Sequence, residues 1–401
     1  MQEEKTQAYL DFLRFSLNDS VPVPESARNM DWNGLLDFGR KQAISGVLYH
    51  GLERMGDSPY KPDHVTILKW YATYAAVKKL NVQVYRDASR LTTGLYRDFL
   101  VKSCVLKGQG NAIMYPDPYM RSPGDIDIWC QTQTENGANS GQKESTTKRK
   151  NYFWTVDPEI VKLIKIARQQ DKKGEIGYHH IELNVLQTPV ELHFFPSFMG
   201  NIVHEKRLRQ WFEEHKSEQF TNIVRLPDDL GTICVPTDGF NRVFQLSHLM
   251  HHFFFEGIGL RQIVDYYYLL RRGFTPEEKQ ETLDVLRRVG MLKFASGLMY
   301  IMKYTLGLED EFLLMKPHER IGRLLLSEII LSGNFGFSDE RYSFQGMSPY
   351  RQYFLEIYRN LHFALDFPSE TLWGRPISRW WHALYKIKLR KAIQDNNEAK
   401  K

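Results

Sequence analysis

Two aspartates stand one residue apart in VLKGQGNAIMYPDPYMRSPGDIDIWC, at Asp125 and Asp127. In an extended strand the side chains alternate faces, so both carboxylates take one side while Ile126 and Ile128 take the other. Two like charges that close repel, and burying either alone is costly. A divalent cation with a hard preference for oxygen ligands removes that cost, so an acid-x-acid strand is a platform for magnesium. Most D-x-D pairs are simply edge-strand residues facing water. Here the apolar opposite face points to a packed sheet, and so to further carboxylates on a neighbouring strand. PVELHFF offers Glu191, which shares a face with His193 while Val190, Leu192 and Phe194 take the other. HHIELN offers Glu182 on the adjacent hairpin arm. The more apolar strand favours Glu191, and Glu182 stays open as the third acid.

Three carboxylates on adjacent strands can hold two metal ions, one at the attacking oxygen and one at the leaving group of an in-line phosphoryl displacement. The third can also help to deprotonate an acceptor hydroxyl. Just upstream, LKGQGNAI puts Gly108 and Gly110 where a strand is expected to turn into a helix, beside Lys107. Glycines let backbone N–H groups approach phosphate oxygens, a helix N-terminus favours anions, and Lys107 adds positive charge. The same tripeptide is equally a plain turn, and no GxxxxGK[ST] loop is present.

Other residues invite chemistry and carry a plainer reading beside it. Arg121 stands four residues before Asp125, to clamp a phosphate or to balance the acids. Arg261 and Asp265 are four apart, as a helix ion pair or with Arg261 reaching a phosphate. His248, His251 and His252 share one helical face as a metal site would, yet no HExxH glutamate accompanies them; the plainer readings are that they line a helix facing the strand-bearing core or pack among Phe253, Phe254 and Phe255. In RWWHALYKIKLRK a stripe of Trp380, Leu384 and Ile387 is expected to pack on the core; contact with a membrane surface or nucleic acid is the alternative.

These residues must be positioned by elements the rest of the sequence announces. The 401 residues are 42% hydrophobic and 25% charged, with a net charge of +5. That suits a soluble chain of two or three domains with a large core. Cys104, Cys130 and Cys234 are odd in number and scattered, against a disulfide framework or zinc knuckle and in keeping with a reducing cytoplasm. No segment reads as a signal peptide or a membrane span. Residues 1–100 read as helical, with Tyr9, Leu13 and Leu17 on one face and a long helix from about 63 to 100. Residues 101–225 read as an α+β core with short strands, a polar mobile loop over 131–151, and a hairpin over YHHIELNVLQTPVELHFF. In that core Asp157 and Pro158 start a helix. Residues 226–401 read as a helical domain, with Thr275, Pro276 and Glu278 forming a capping box.

Leu106-Lys107-Gly108, Arg121, Asp125-Ile126-Asp127 and Glu191-Leu192-His193 together resemble the polymerase-beta-like nucleotidyltransferase superfamily. More narrowly they resemble an uncharacterised bacterial nucleotidyltransferase family, and HLMHHFFFEGIGLRQIVDYYYLL fits its helical segment. The likeness spans roughly residues 32–270. It implies a small mixed sheet flanked by N-terminal and C-terminal helices. It implies Asp125, Asp127 and Glu191 as catalytic metal-binding acids with two Mg2+ ions. Gly108 then faces the phosphates of a nucleoside triphosphate, with Lys107, Arg121, His193 and Arg261 as further nucleotide contacts. The acceptor could be a small molecule, a protein or a nucleic acid. One departure stands out: the loop has Lys-Gly-Gln where superfamily members have Gly-Ser, so a serine contact to phosphate is missing. That departure favours the alternative of a catalytically inactive nucleotide-binding or interaction protein on the same fold.

Overall fold

The computed structural model describes residues 2–132, 156–336 and 348–398; the polar loop expected over 131–151 lies outside them from 133 onward. Four helices open the chain, α1 (Gln2–Leu17), α2 (Trp32–Lys41), α3 (Ser45–Arg54) and α4 (His64–Phe99). Next come β1 (Val101–Val105), the single turn α5 (Gln109–Ala112), β2 (Ile126–Thr132), α6 (Pro158–Gln170), β3 (Glu175–Ile176), β4 (His180–Leu183) and β5 (Val190–His193). Helices α7 (Ile202–Glu214) and α8 (Lys216–Gln219) lead to β6 (Ile223–Arg225) and β7 (Thr232–Cys234). The rest is helical: α9 (Asp238–Phe255), α10 (Leu260–Arg271), α11 (Pro276–Arg288), α12 (Leu292–Tyr300), α13 (Glu319–Ser332), α14 (Pro349–Asn360) and α15 (Gly374–Glu398). This is the expected α+β class, a mixed sheet between helical regions. The β6–β7 ladder was not expected; strands of three residues are too short to register as period-two alternation.

The chain forms two compact units. One comprises Met1–Val82, Asn111–Pro123 and Asp238–His362; the other comprises Gln83–Gly110, Gly124–Thr237 and Phe363–Lys401. In the first, helical unit, Tyr9, Leu13 and Leu17 of α1 are buried as their spacing predicts. Thr275 Oγ1 accepts from Glu278 N–H and Glu278 Oε2 accepts from Thr275 N–H, the reciprocal cap that starts α11. Helix α10 is buried along its whole length from Leu260 to Leu270.

The second unit is built on a five-stranded sheet in the order β1-β2-β5-β4-β3. Strands β2 and β5 run parallel, while β1–β2, β4–β5 and β3–β4 are antiparallel. Asp157 caps α6 by accepting from Glu159 N–H at 2.9 Å. The β4–β5 hairpin is held by Asp87 of α4, which accepts from the Thr188 hydroxyl at 2.8 Å and the Thr188 N–H at 3.2 Å. Ile126, Ile128, Val190 and Leu192 bury one face of the sheet at its centre. A cavity of about 170 Å3 lies on that apolar face, against Leu91, Leu95, Ile128, Leu183 and Leu192. The acids point to the other face.

Helix α15 corrects the expected stripe. Trp381, Tyr385, Leu389 and Ile393 are its buried hydrophobic residues, whereas Trp380 is 64% and Ile387 62% exposed. The helix carries two apolar stripes one residue apart, and the one with polar partners turns inward. Trp381 Nε1 donates to the Tyr178 hydroxyl at 3.4 Å, and His382 stacks on the Tyr178 ring at 3.7 Å between centroids.

Two buried glutamates in this unit make its stability depend on pH. Burial pushes the Glu205 carboxyl up to about 7, although Arg209, the Met199 N–H and Tyr178 pull it down; Glu370 adds to the rise. Burial pushes Glu370 up to about 7 as well, against the Ser369 hydroxyl and the N–H groups of Gly200 and Asn201. An acid whose folded pKa is raised favours the fold fully below its ordinary value near 4.5, and loses that contribution as pH rises to about 7. Each carboxyl accounts for up to about 3 kcal/mol across that window. Glu370→Gln is therefore expected to raise Tm at pH 8 and leave it unchanged at pH 4, as thermal unfolding at the two pH values would register.

Candidate active site

The β2–β5 register sets Asp127 directly beside Glu191, and Trp129 beside His193. Because the strands are parallel and side chains alternate, Asp127, Glu191 and His193 emerge on the same face. The β4–β5 register extends both rows by one strand, with Glu182 beside Glu191 and His180 beside His193. Asp125 is half-buried, one residue before β2 begins. The ladder continues past β1 through Leu106 N–H, which donates to the Asp127 carbonyl at 2.9 Å and carries Lys107 to the acids. Gly108 follows with φ +64°, a left-handed conformation that strains any other residue type. The helix expected after it is the single turn of α5, too short to supply a macrodipole.

Asp127 is 1% exposed. Its Oδ1 accepts from Lys107 Nζ at 3.1 Å and lies 3.0 Å from His193 Nε2. Its Oδ2 is buried and has no hydrogen-bond partner among the described residues. Glu191 Oε2 lies 3.2 Å from His193 Nε2 and 3.8 Å from His180 Nδ1. One ligating atom each from Asp127, Glu191 and His193 falls within 4.8 Å of the other two.

The electrostatics follow from that packing. Burial alone would lower Lys107, but Asp127, then Asp125, then Glu191 hold it well above its ordinary value. All three acids proposed from sequence thus act on one ammonium group. Burial would lower His193 too, and hydrogen bonds to Asp127 and Glu191 lift it instead to about 9. Burial would raise Glu191, but the His193 hydrogen bond, with the charges of His193, Lys107 and His180, brings it down to about 2. Burial and the His193 charge lower His180, against the pull of Glu191 and Glu182. Glu182 is 58% exposed at its side chain and meets His180 Nε2 at 3.5 Å.

A family model described as uncharacterised nucleotidyltransferase matches residues 28–307, more than two-thirds of the chain. The chain belongs to this nucleotidyltransferase family. No curated protein and no solved structure matches it. The matched stretch contains Lys107, Gly108, Arg121, Asp125, Asp127, Glu191, His193 and Arg261. Membership makes a nucleotide the substrate and leaves the acceptor unnamed. No helix among the described residues of this nucleotidyltransferase is long and apolar enough to cross a membrane.

The two arginines of the nucleotidyltransferase have partners of their own within the helical unit. Arg121 Nε and Nη2 donate to Asp265 Oδ1 and Oδ2, both at 2.8 Å. The same carboxylate accepts from the Tyr115 hydroxyl at 2.5 Å and Asn111 Nδ2 at 3.2 Å. Asp265 therefore pairs with Arg121 rather than with Arg261, its neighbour on the helix. Arg261 Nη1 donates to the carbonyls of Ser122 and Pro123 at 3.2 and 3.4 Å. Of the three α9 histidines, His251 lies against Phe255 and His252 Nδ1 meets Glu256 Oε2 at 2.9 Å. Sequence reasoning passed over His179 and His180. Counting outward from His193 through the hairpin would have put His180 opposite it.

Proposed function

We propose that this nucleotidyltransferase is metal-dependent and moves a nucleoside monophosphate from a nucleoside triphosphate to an acceptor, with Asp125, Asp127 and Glu191 as its metal-binding acids. The observation that carries the reading is the adjacency of Asp127 and Glu191 on parallel strands, with Asp127 Oδ2 buried and unpartnered. A buried carboxylate oxygen without a donor is costly, and a hard cation suits it. The donor set fits Mg2+, and two carboxylate-rich strands are consistent with a pair of ions. The arrangement also supports membership of the polymerase-beta-like superfamily. Ions held there would supply positive charge to the triphosphate oxygens and lower the pKa of the attacking group.

The protein's own residues have separate tasks. Asp127 and Glu191 fix ligand geometry because their strands are locked in register. Glu191, held at about 2, is a poor proton acceptor and serves as ligand rather than base. Lys107, Gly108 and His193 are the proposed contacts to the nucleotide phosphates. Arg121 is engaged by Asp265 within the helical unit. In the reaction the acceptor oxygen bonds to the α-phosphorus, the bond to the bridging oxygen breaks, and pyrophosphate leaves with that electron pair. The acceptor proton passes to solvent.

Glu191→Gln is expected to lower Mg2+-dependent pyrophosphate release from γ-labelled triphosphate by about 100-fold. Glu182→Gln is expected to change it by less than about 3-fold, because Glu182 is exposed and one strand removed from Asp127. The reverse ranking would make Glu182 the third acid. A second reading is nucleotide binding without transfer, favoured by the salt bridge that already occupies Asp127 Oδ1. Triphosphate binding with no pyrophosphate release would select it.

A further inference from the structure

Three imidazoles meet on the acid-bearing face of the sheet. His180 is the cross-strand partner of His193, and His179 immediately precedes it. The His179 carbonyl accepts from Phe194 N–H at 2.7 Å, which fixes its backbone to the strand carrying His193. His179 Nε2 and His180 Nδ1 are 3.3 Å apart. The His193 ring centroid lies 4.9 Å from that of His179 and 5.4 Å from that of His180. One ring nitrogen from each of the three falls within 4.8 Å of the other two.

Packing alone does not call for this composition. Phenylalanine would fill the same volume without nitrogen atoms to satisfy, and the neighbours Phe195 and Phe198 do so. His193 is 2% exposed, and its Nδ1 is buried with no hydrogen-bond partner among the described residues. A buried polar atom left unpaired costs about 1–3 kcal/mol unless a ligand takes it up. The other nitrogen, Nε2, meets Asp127 and Glu191, the carboxylate contact that commonly orients a ligating histidine.

We propose that His179, His180 and His193 form a nitrogen-donor site for one transition-metal ion of the zinc class, beside the carboxylates that suit magnesium. Imidazole prefers zinc, nickel and copper, whereas carboxylate and water prefer magnesium. Three histidines with a fourth position open to water are a recurrent catalytic zinc arrangement. The site goes beyond the proposed transfer reaction and shares with that reading His193, its carboxylate contacts and the contact of His180 with Glu191.

The test uses the full chain, stripped with chelator and desalted. Zinc added to this chain is expected to remain at one ion per chain after a second desalting, and excess Mg2+ is not expected to displace it. Cobalt in its place is expected to give a visible absorption band from nitrogen coordination. His179→Gln combined with His180→Gln is expected to weaken zinc binding by at least about 100-fold, with the far-UV circular dichroism unchanged. Zinc washed off the wild-type protein, or retained equally by the double variant, would overturn the proposal. If the double variant fails to fold, the cobalt spectrum of the wild type decides alone. Absence of pyrophosphate release would count against the transfer reading and leave the zinc readout standing.

Discussion

Asp127→Asn is expected to lower Mg2+-dependent pyrophosphate release by about 1,000-fold, the largest functional loss of any single change. The reason lies in what the carboxylate does with each oxygen. Oδ1 already serves Lys107 and His193. Oδ2 is buried with no hydrogen-bond partner among the described residues and is the atom proposed to take a cation. Asparagine keeps the shape but replaces one oxygen with an amide that donates, so that end opposes either the Lys107 ammonium and the His193 ring nitrogen or the proposed cation. The same change leaves Lys107 buried with less compensation, at a cost of about 1–3 kcal/mol. Activity should therefore be measured well below the variant's Tm. Activity within about 10-fold of wild type under those conditions would remove Asp127 from the reaction.

The largest stability effect is expected at the other buried pair. Asp265→Ala strands the Arg121 guanidinium, whose side chain is 6% exposed, and should destabilise the fold by about 3–5 kcal/mol. It also removes the acceptor of the Tyr115 hydroxyl and the Asn111 amide. Replacing both charges, Arg121→Met with Asp265→Leu, should cost less than the sum of the single changes, because neither charge is then left alone. Urea unfolding of the two single variants and the double variant measures the coupling. Additive losses would mean that the bidentate contact contributes nothing of its own.

What the sequence made legible was local. Alternation in DIDI and VELHF put the acids on one face and the isoleucines, valine and leucine on the other, because strand periodicity is independent of the rest of the fold. Asp157 and the Thr275–Glu278 pair were readable as caps for the same reason: the partners lie within one turn. Partner choice across the fold was not legible. Spacing offered Asp265 an arginine four residues away, yet the fork of Arg121 reaches both its oxygens. Spacing likewise offered α15 two apolar stripes, and only the contacts of Tyr178 select between them. The histidine cluster needed the cross-strand register, which no single segment contains.

The parallel pairing of β2 with β5 also sets the order in which the protein can become competent. Parallel neighbours cannot be joined by a tight turn, so the chain must leave Asp127, build α6 and the β4 arm, and return before Glu191 arrives. Lengthening that excursion is thermodynamically cheap, about 0.6 kcal/mol for each doubling. It is kinetically slow, because the closure entropy is lost before the contact forms. A polypeptide still emerging from the ribosome thus holds half a centre until its hairpin docks.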